Sequence, residues 1–318
     1  MSGVINTLEN VDIRDALFDQ LYEIASNDND VIFLTADMGA FSLKKFKSNL
    51  PKQYFNVGIS EQNLVSISAG LALGGKKVFI YAIAPFITQR CYEQIKVDLC
   101  SMDLPVTIIG MGPGLTYSSD GLTHHATQDI AIMRALPGMS ILSPSDPSSA
   151  SRAIVDAYQS NHPVYIRLDK GQWPVLYDQN DRLGNGVVEI EKGNDVLIVS
   201  TGVMVHRALN VAKELNSDSM NIGVVDLYSI KPIAEQVLLS IIEKYDKVVT
   251  LEEHSIIGGI GSAICEILSD NNIYKPLKRI ALADDDTSGY GDRDWMHSYY
   301  GLDLNTIVKT IREWTPKR

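Results

Sequence analysis

The chain has 318 residues, more than one ordinary domain holds, so two domains are the starting expectation. Hydrophobic residues make up 45% and charged residues 21%, enough apolar material for sizeable cores, while a formal net charge of −11 argues against a nucleic-acid backbone or an anionic membrane as partner. The 3 cysteines, Cys91, Cys100 and Cys265, fall in no metal-ligand spacing. Their odd number, an acidic start (MSGVINTLENVDIRD) and the lack of any apolar run of transmembrane length set the expectation of a cytoplasmic protein.

Taken in chain order, short runs rich in Val and Ile alternate with helical patterns. DVIFLTADM, KKVFIYAIA, PVTIIGMG, MSILSPSD and PVYIRL read as buried strands. Helix-like stretches lie near 12–27, 61–74, 86–102, 126–135 and 147–160. This alternation predicts a parallel sheet covered by helices, with ligands beyond the carboxyl ends of the strands. GQWPVLYDQNDRLGNG then lacks periodicity and is rich in Gly, Asn and Asp, so a linker is expected over 173–186 between domains at 1–172 and 187–318. The alternation restarts with DVLIVSTG, NIGVVDLYSI, KVVTLEEHS and LKRIALAD and closes with a helix near 303–314, a second and smaller α/β domain.

Four segments carry candidate chemistry. In GISEQ, Gly58 and Ser60 suit a turn and helix entry, which puts Glu61 in a first helical turn. An acid there gains roughly 0.3–1 kcal/mol from the helix dipole, which is explanation enough for the residue taken alone. The sequel, LVSISAGLALGG, is apolar on several sides and should be buried, so the carboxylate at its mouth needs a partner. In SSDGLTHHATQD, Asp120, Thr123, His124, His125 and Asp129 look like an active-site loop, since histidine moves protons near neutral pH. The plain alternative is a solvated loop whose Thr123 or Thr127 caps the next helix. In YAIAPFITQRCYEQIK, Phe86 follows Pro85 at a strand end, whereas Ile87, Tyr92 and Ile95 fit a helix core. In PVYIRLDKG, Arg167 and Lys170 are either an anion anchor or a solvated charge pair with Asp169. GGIGSA lacks the acidic partner of a dinucleotide fingerprint, and neither a Walker loop nor a nucleophile elbow occurs.

The order GISEQ, PFITQRCYEQIK, DGLTHHATQDIAIMR, PSD and PVYIRLDKG resembles the carboxyl-terminal half of the transketolase family of thiamine-diphosphate enzymes, and LEEHSIIGGIGSAICEIL resembles its terminal domain. The resemblance implies a pyrimidine-binding domain followed by a transketolase C-terminal domain. It implies that Glu61 shares a proton with the aminopyrimidine ring nitrogen, which sets up proton loss from the thiazolium carbon. Phe86 would stack on the pyrimidine, with Ile83 where some relatives have a second aromatic and Tyr92 nearby. Asp120 and His124 would contact sugar hydroxyls and the phosphate end of the substrate, with His124 counted beside Glu61 as catalytic. Lys170 stands where relatives carry a phosphate-gripping arginine, with Arg90 and Arg167 as secondary phosphate candidates. The GDG motif that holds Mg²⁺ and diphosphate in full-length members is absent. The resemblance therefore implies one half of a split transketolase, a self-dimer joined to an N-terminal subunit in an α₂β₂ heterotetramer that supplies the metal site. Rival readings are the beta subunit of a 2-oxo-acid dehydrogenase, a deoxyxylulose-phosphate-synthase-like enzyme, and a non-catalytic scaffold subunit.

Overall fold

The computed structural model describes residues 11–178, 183, 185–217, 220–285 and 288–315. Of the expected linker, residues 179–182 and 184 lie outside the described residues. The chain divides into two compact units, one of residues 1–113 with 132–182 and the other of 114–131 with 183–318. No helix among the described residues is long and apolar enough to cross a membrane.

In the first unit the strands are β1 (Val31–Thr35), β2 (Tyr54–Asn56), β3 (Lys77–Ile83), β4 (Val106–Met111), β5 (Ser140–Leu142) and β6 (Val164–Leu168). They lie in the order β5-β6-β4-β3-β1-β2 and pair in parallel throughout. Residues of β1, β4 and β6 are buried on both faces, as their unbroken Val and Ile runs require of a sheet covered by helices. α1 (Ile13–Asn27) and α2 (Leu43–Asn49) flank β1 in sequence, and α3 (Glu61–Leu73) enters from β2. The 86–102 region, expected as one helix, is broken. α4 (Ala84–Thr88) starts at the end of β3 with Pro85 in its first turn, α5 is the single turn Tyr92–Gln94, and Ile95–Cys100 winds as a π-helix. The break at residues 89–91 turns the chain between them, and a π segment of this kind recurs at functional sites. α6 (Asp129–Arg134) precedes β5, and α7 (Pro147–Gln159) precedes β6. Asp146 caps α7 by accepting from Ser149 N at 2.7 Å, and its second oxygen accepts from Leu176 N at 2.7 Å.

The second unit carries β7 (Val187–Glu191), β8 (Val196–Ser200), β9 (Ile222–Leu227), a short β10 (Ser229–Lys231), β11 (Lys247–Ser255) and β12 (Leu277–Leu282). Its sheet runs β12-β11-β8-β9-β7, parallel except for β7, which pairs antiparallel to β9. β7 (VVEIE) is an edge strand that the sequence reading leaves out, because only Val187 of its five residues opens the run as clear core. Its helices are α8 (Met204–Ser217), α9 (Glu235–Ile242), α10 (Ile260–Asp270) and α11 (Arg293–Tyr299), followed by the terminal α12 (Leu304–Trp314). Val196, Ile198, Val224, Leu251, Met296 and Ile307 share its core.

Candidate functional site

The first-unit site is built where β2 and β3 end. Gly58, with φ of +75°, turns the chain out of β2, and α3 begins at Glu61. Ser60 does not cap α3 with its side chain; its hydroxyl donates instead to Val57 O at 2.9 Å. Only one face of α3 is buried, through Glu61, Leu64, Val65, Ser68 and Ala69. The expectation of burial on several sides therefore fails for this chain alone, and Leu73 stays 62% exposed.

Glu61 is 4% exposed and has a partner in the chain itself: Arg90 Nη1 donates to its Oε2 at 2.7 Å. The same guanidinium stands 4.3 Å from the centroid of the Phe86 ring. Phe86 and Arg90 stand four residues apart, the spacing that sets two side chains on one face of a helical turn, and the Arg90 amide still bonds Pro85 O at 3.4 Å. Gln62 Nε2 donates to Arg90 O at 3.3 Å and holds the break against α3. Cys91 is buried beside them and its thiol donates to Phe86 O at 3.3 Å. Burial, then the Glu61 charge, push that thiol up to about 12 against the opposing pull of Arg90, so it stays protonated and inert. Ile83, the last residue of β3, and Tyr92, the first of α5, are half-buried and flank the group.

This geometry fits an aminopyrimidine. A flat cation with N–H donors already bonds the carboxylate and lies on the aromatic ring. A flat heteroaromatic ring with a protonated nitrogen offers the same donor and the same face. Among the described residues no group of three or more His, Cys, Asp or Glu side chains is placed to hold a metal ion.

Arg167 is buried within β6 and Lys170 is half-buried just past its end. Asp169 is itself buried and accepts from the Lys170 amide at 2.8 Å, so it is not a solvated surface partner for the lysine. Asp12 accepts from the next amide, Gly171 N, at 3.0 Å. A separate open hollow of about 580 Å³ in this unit is lined by Asp12, Asp15, Asp19, Ser42, Lys45 and Gln172 among others, and by none of the candidates named from sequence.

Asp120 and His124 belong to the second unit. Two short 3₁₀ turns, Ser118–Asp120 and Leu122–His124, are joined by Gly121 at φ of +79°. Asp120 is exposed and His124 half-exposed, with His124 Nδ1 and Thr123 Oγ1 3.0 Å apart. Thr123 thus bonds its neighbour rather than capping a helix. His125 turns inward, donating through Nε2 to Ser118 O at 3.3 Å; burial lowers its pKa despite that bond. The two adjacent histidines therefore have different environments, and only His124 faces outward. The left-handed φ of Gly121 favours glycine there, and the Tyr290 hydroxyl lies close by, 2.4 Å from where a Cβ would stand.

Beneath the loop lies a group that the sequence reading left without a role. Glu253, at the end of β11, accepts from Arg293 through Nε at 2.9 Å and through Nη2, from His297 Nε2 at 2.8 Å, and from Leu115 N at 3.2 Å. Burial pushes this carboxyl up, and the Arg293 and His297 charges outweigh it, holding the group well below the usual carboxylate range. The available signal was the acid pair of LEEHS inside an otherwise buried strand.

Comparison with known proteins gives the same assignment. Residues 9–175 match the family model described as transketolase, pyrimidine binding domain, and residues 184–307 match transketolase, C-terminal domain. An apulose-4-phosphate transketolase subunit of Phocaeicola vulgatus is 35% identical over 96% of this chain and 97% of its own length. A 6-deoxy-6-sulfo-D-fructose transketolase subunit of a Clostridium species is 34% identical over 96% of the chain and 95% of its own. A solved split-gene transketolase, described as an inactive beta4 tetramer, superposes with a TM-score of 0.84 at 32% identity, covering 96% of this chain and 98% of that one. With both domain models matched in order and relatives of equal length that are themselves separate subunits, this chain belongs to the transketolase family, as the C-terminal subunit of a split transferase.

Proposed function

We propose that the chain transfers a two-carbon ketol unit between sugars or sugar phosphates with thiamine diphosphate, and does so only with an N-terminal subunit that holds Mg²⁺ and diphosphate. The observation that carries this reading is the buried Glu61 at the mouth of α3, facing a planar cation that lies on Phe86. When bound, thiamine diphosphate supplies the nucleophilic carbon that cleaves and carries the two-carbon unit.

The chain's own residues then have separate tasks. Glu61 would share a proton with the pyrimidine ring nitrogen, and its carboxylate already bonds the donor of Arg90. Phe86 would offer the ring an aromatic face, with Ile83 and Tyr92 beside it in the chain. The buried face of α3 keeps water from the carboxylate, which strengthens the bond. In the second unit, Asp120 and His124 orient substrate hydroxyls, while His125 keeps the loop in shape. Lys170 meets a phosphate as a point charge rather than a bidentate fork, with Arg167 adding charge from beneath and Arg90 free to contribute once released from Glu61. Support for a partner and for self-association comes from the relatives that are named subunits and from the solved split-gene transketolase described as an inactive beta4 tetramer. The side of α3 that one chain leaves open suits a copy-to-copy interface.

The test is reconstitution with an N-terminal transketolase subunit from the same genome, Mg²⁺ and thiamine diphosphate. Xylulose 5-phosphate, fructose 6-phosphate and apulose 4-phosphate serve as ketol donors, and pyruvate as the contrasting donor. Ketol transfer from a sugar by the pair, and none by either subunit, is expected. Turnover of pyruvate alone would move the assignment to the synthase class, and no turnover by the assembled pair would leave a scaffold.

A further inference from the structure

Both limbs of the 114–131 segment are fastened to the last three residues of β11. At the outgoing limb the Leu115 amide donates to Glu253 Oε1 at 3.2 Å. Gly114 lies directly on the same residue: its φ is +57°, and a Cβ there would stand 2.7 Å from the Glu253 carbonyl oxygen and 2.8 Å from its side chain. At the returning limb Ser255 N donates to Thr127 O at 2.8 Å, and Ala131 N donates to His254 Nε2 at 3.3 Å. His254 Nδ1 donates to Ser255 O at 2.8 Å, which leaves Nε2 as the acceptor. A pair of bonds between Gly114 and Ala126, at 3.0 and 2.9 Å, closes the neck. What emerges from that neck is the turn bearing Asp120 and His124.

The anchor is itself held rigidly. Arg293 and His297, from the first and last parts of α11, converge on the Glu253 carboxylate, which is 2% exposed. A buried ion cluster is a costly way to gain stability, and apolar packing of the same volume does as well. What such a cluster does supply is a fixed position for whatever it bonds. We propose that Glu253 is a positioning residue for sugar binding: locked by Arg293 and His297, it sets the height and register of the Asp120–His124 loop. This rests on the reading that the loop contacts substrate, and the test separates the two.

Glu253→Gln and His124→Ala are compared with wild type in the reconstituted enzyme, using the sugar donor with the highest turnover. His124→Ala tests the reading; Glu253→Gln tests the positioning role. Both are expected to raise KM for the sugar by about tenfold or more, the effect of a small misplacement of a binding group, with thiamine diphosphate affinity unchanged. Amide exchange at 115–125 should also quicken in Glu253→Gln while that of β1 and β3 stays as in wild type. A raised KM in His124→Ala with unchanged KM and loop exchange in Glu253→Gln overturns the positioning role and leaves the reading standing. An unchanged KM in His124→Ala overturns both. Equal loss of cofactor and sugar affinity in Glu253→Gln reduces Glu253 to a general structural residue and also overturns the proposal. If Glu253→Gln does not fold, the pair Glu253→Gln with Arg293→Met removes both charges and is judged by the same measurements.

Discussion

Glu61 illustrates how one residue acquires a role from its surroundings. Its carboxylate bonds Arg90 at 2.7 Å, and the guanidinium rests on Phe86. Glu61→Gln keeps the size and the helix entry but cannot share a proton in the same way. Turnover of the reconstituted enzyme should fall by about 100-fold or more, the contribution of a general acid–base group. Deuterium exchange at the thiazolium carbon checks it, and exchange as fast as wild type would reduce Glu61 to a helix-terminal charge. Cys91 gives an independent readout of the same pocket. Its thiol is buried and pushed up to about 12, whereas Cys265 is exposed. An aromatic disulfide reagent at pH 8 should label Cys265 at once in the native chain and Cys91 only on unfolding; rapid labelling of Cys91 would show an open pocket. Glu253 links charge to stability. Its folded pKa lies below the unfolded value, so its contribution is fully present above that value and fades as pH falls below about 4.3. The gap in thermal midpoint between wild type and Glu253→Gln should therefore be wide at pH 7 and narrow as the pH is lowered through that range.

At the level of elements, the informative features are ends and breaks. Asp146 bonds the start of α7 with one oxygen and Leu176 N with the other, so a single side chain ties a helix to the chain beyond β6. Asp146→Ala should cost about 1–2 kcal/mol through the lost cap alone, and more through the buried amides left without an acceptor; urea denaturation measures it. The 84–100 region shows a different case. Phe86 and Arg90 stand four residues apart, the spacing that sets side chains on one face of a helical turn, so their contact follows from local winding. The stop after α4 and the π winding of Ile95–Cys100 are hidden by the helical periodicity of the sequence.

For the whole molecule, the unfinished surface is the notable property. Ile59 is 77% and Leu73 62% exposed, before and at the end of α3, and Val97 and Met102 are exposed near the π segment. A helix of this composition left half open calls for a cover, and obligate interfaces of the kind expected bury on the order of 2,000 Å² or more. Light scattering should find the isolated chain self-associated. Leu73→Glu should shift it towards monomer and weaken assembly with the N-terminal subunit; a monomeric wild type that ignores its partner would contradict this. Cofactor affinity should follow assembly, weak for the isolated chain and tight for the pair, as calorimetry can measure.

Much of this architecture is written locally. The Val and Ile runs of β1, β3, β4 and β6 have no stable place except a sheet covered on both faces, and GISEQ marks the turn from β2 into α3. The glutamate at the mouth of α3 was legible from the turn residues Gly58 and Ser60 before it. The rest depended on contacts between residues far apart in sequence. The short, partly exposed β7 has too little apolar periodicity to announce itself and is a strand because β9 offers it an edge. Arg90 becomes the partner of Glu61, 29 positions away, only through the packing of α4 and α5 against α3, which no local pattern encodes. Glu253 reaches Leu115 across 138 positions, and no local pattern records which loop a buried carboxylate will hold. Local sequence determined which segments are strands, helices and motif-bearing turns, because short-range sterics and burial periodicity act within a few residues. Tertiary structure alone decided which charges meet, because a buried ion pair is specified by the packing that excludes water around it.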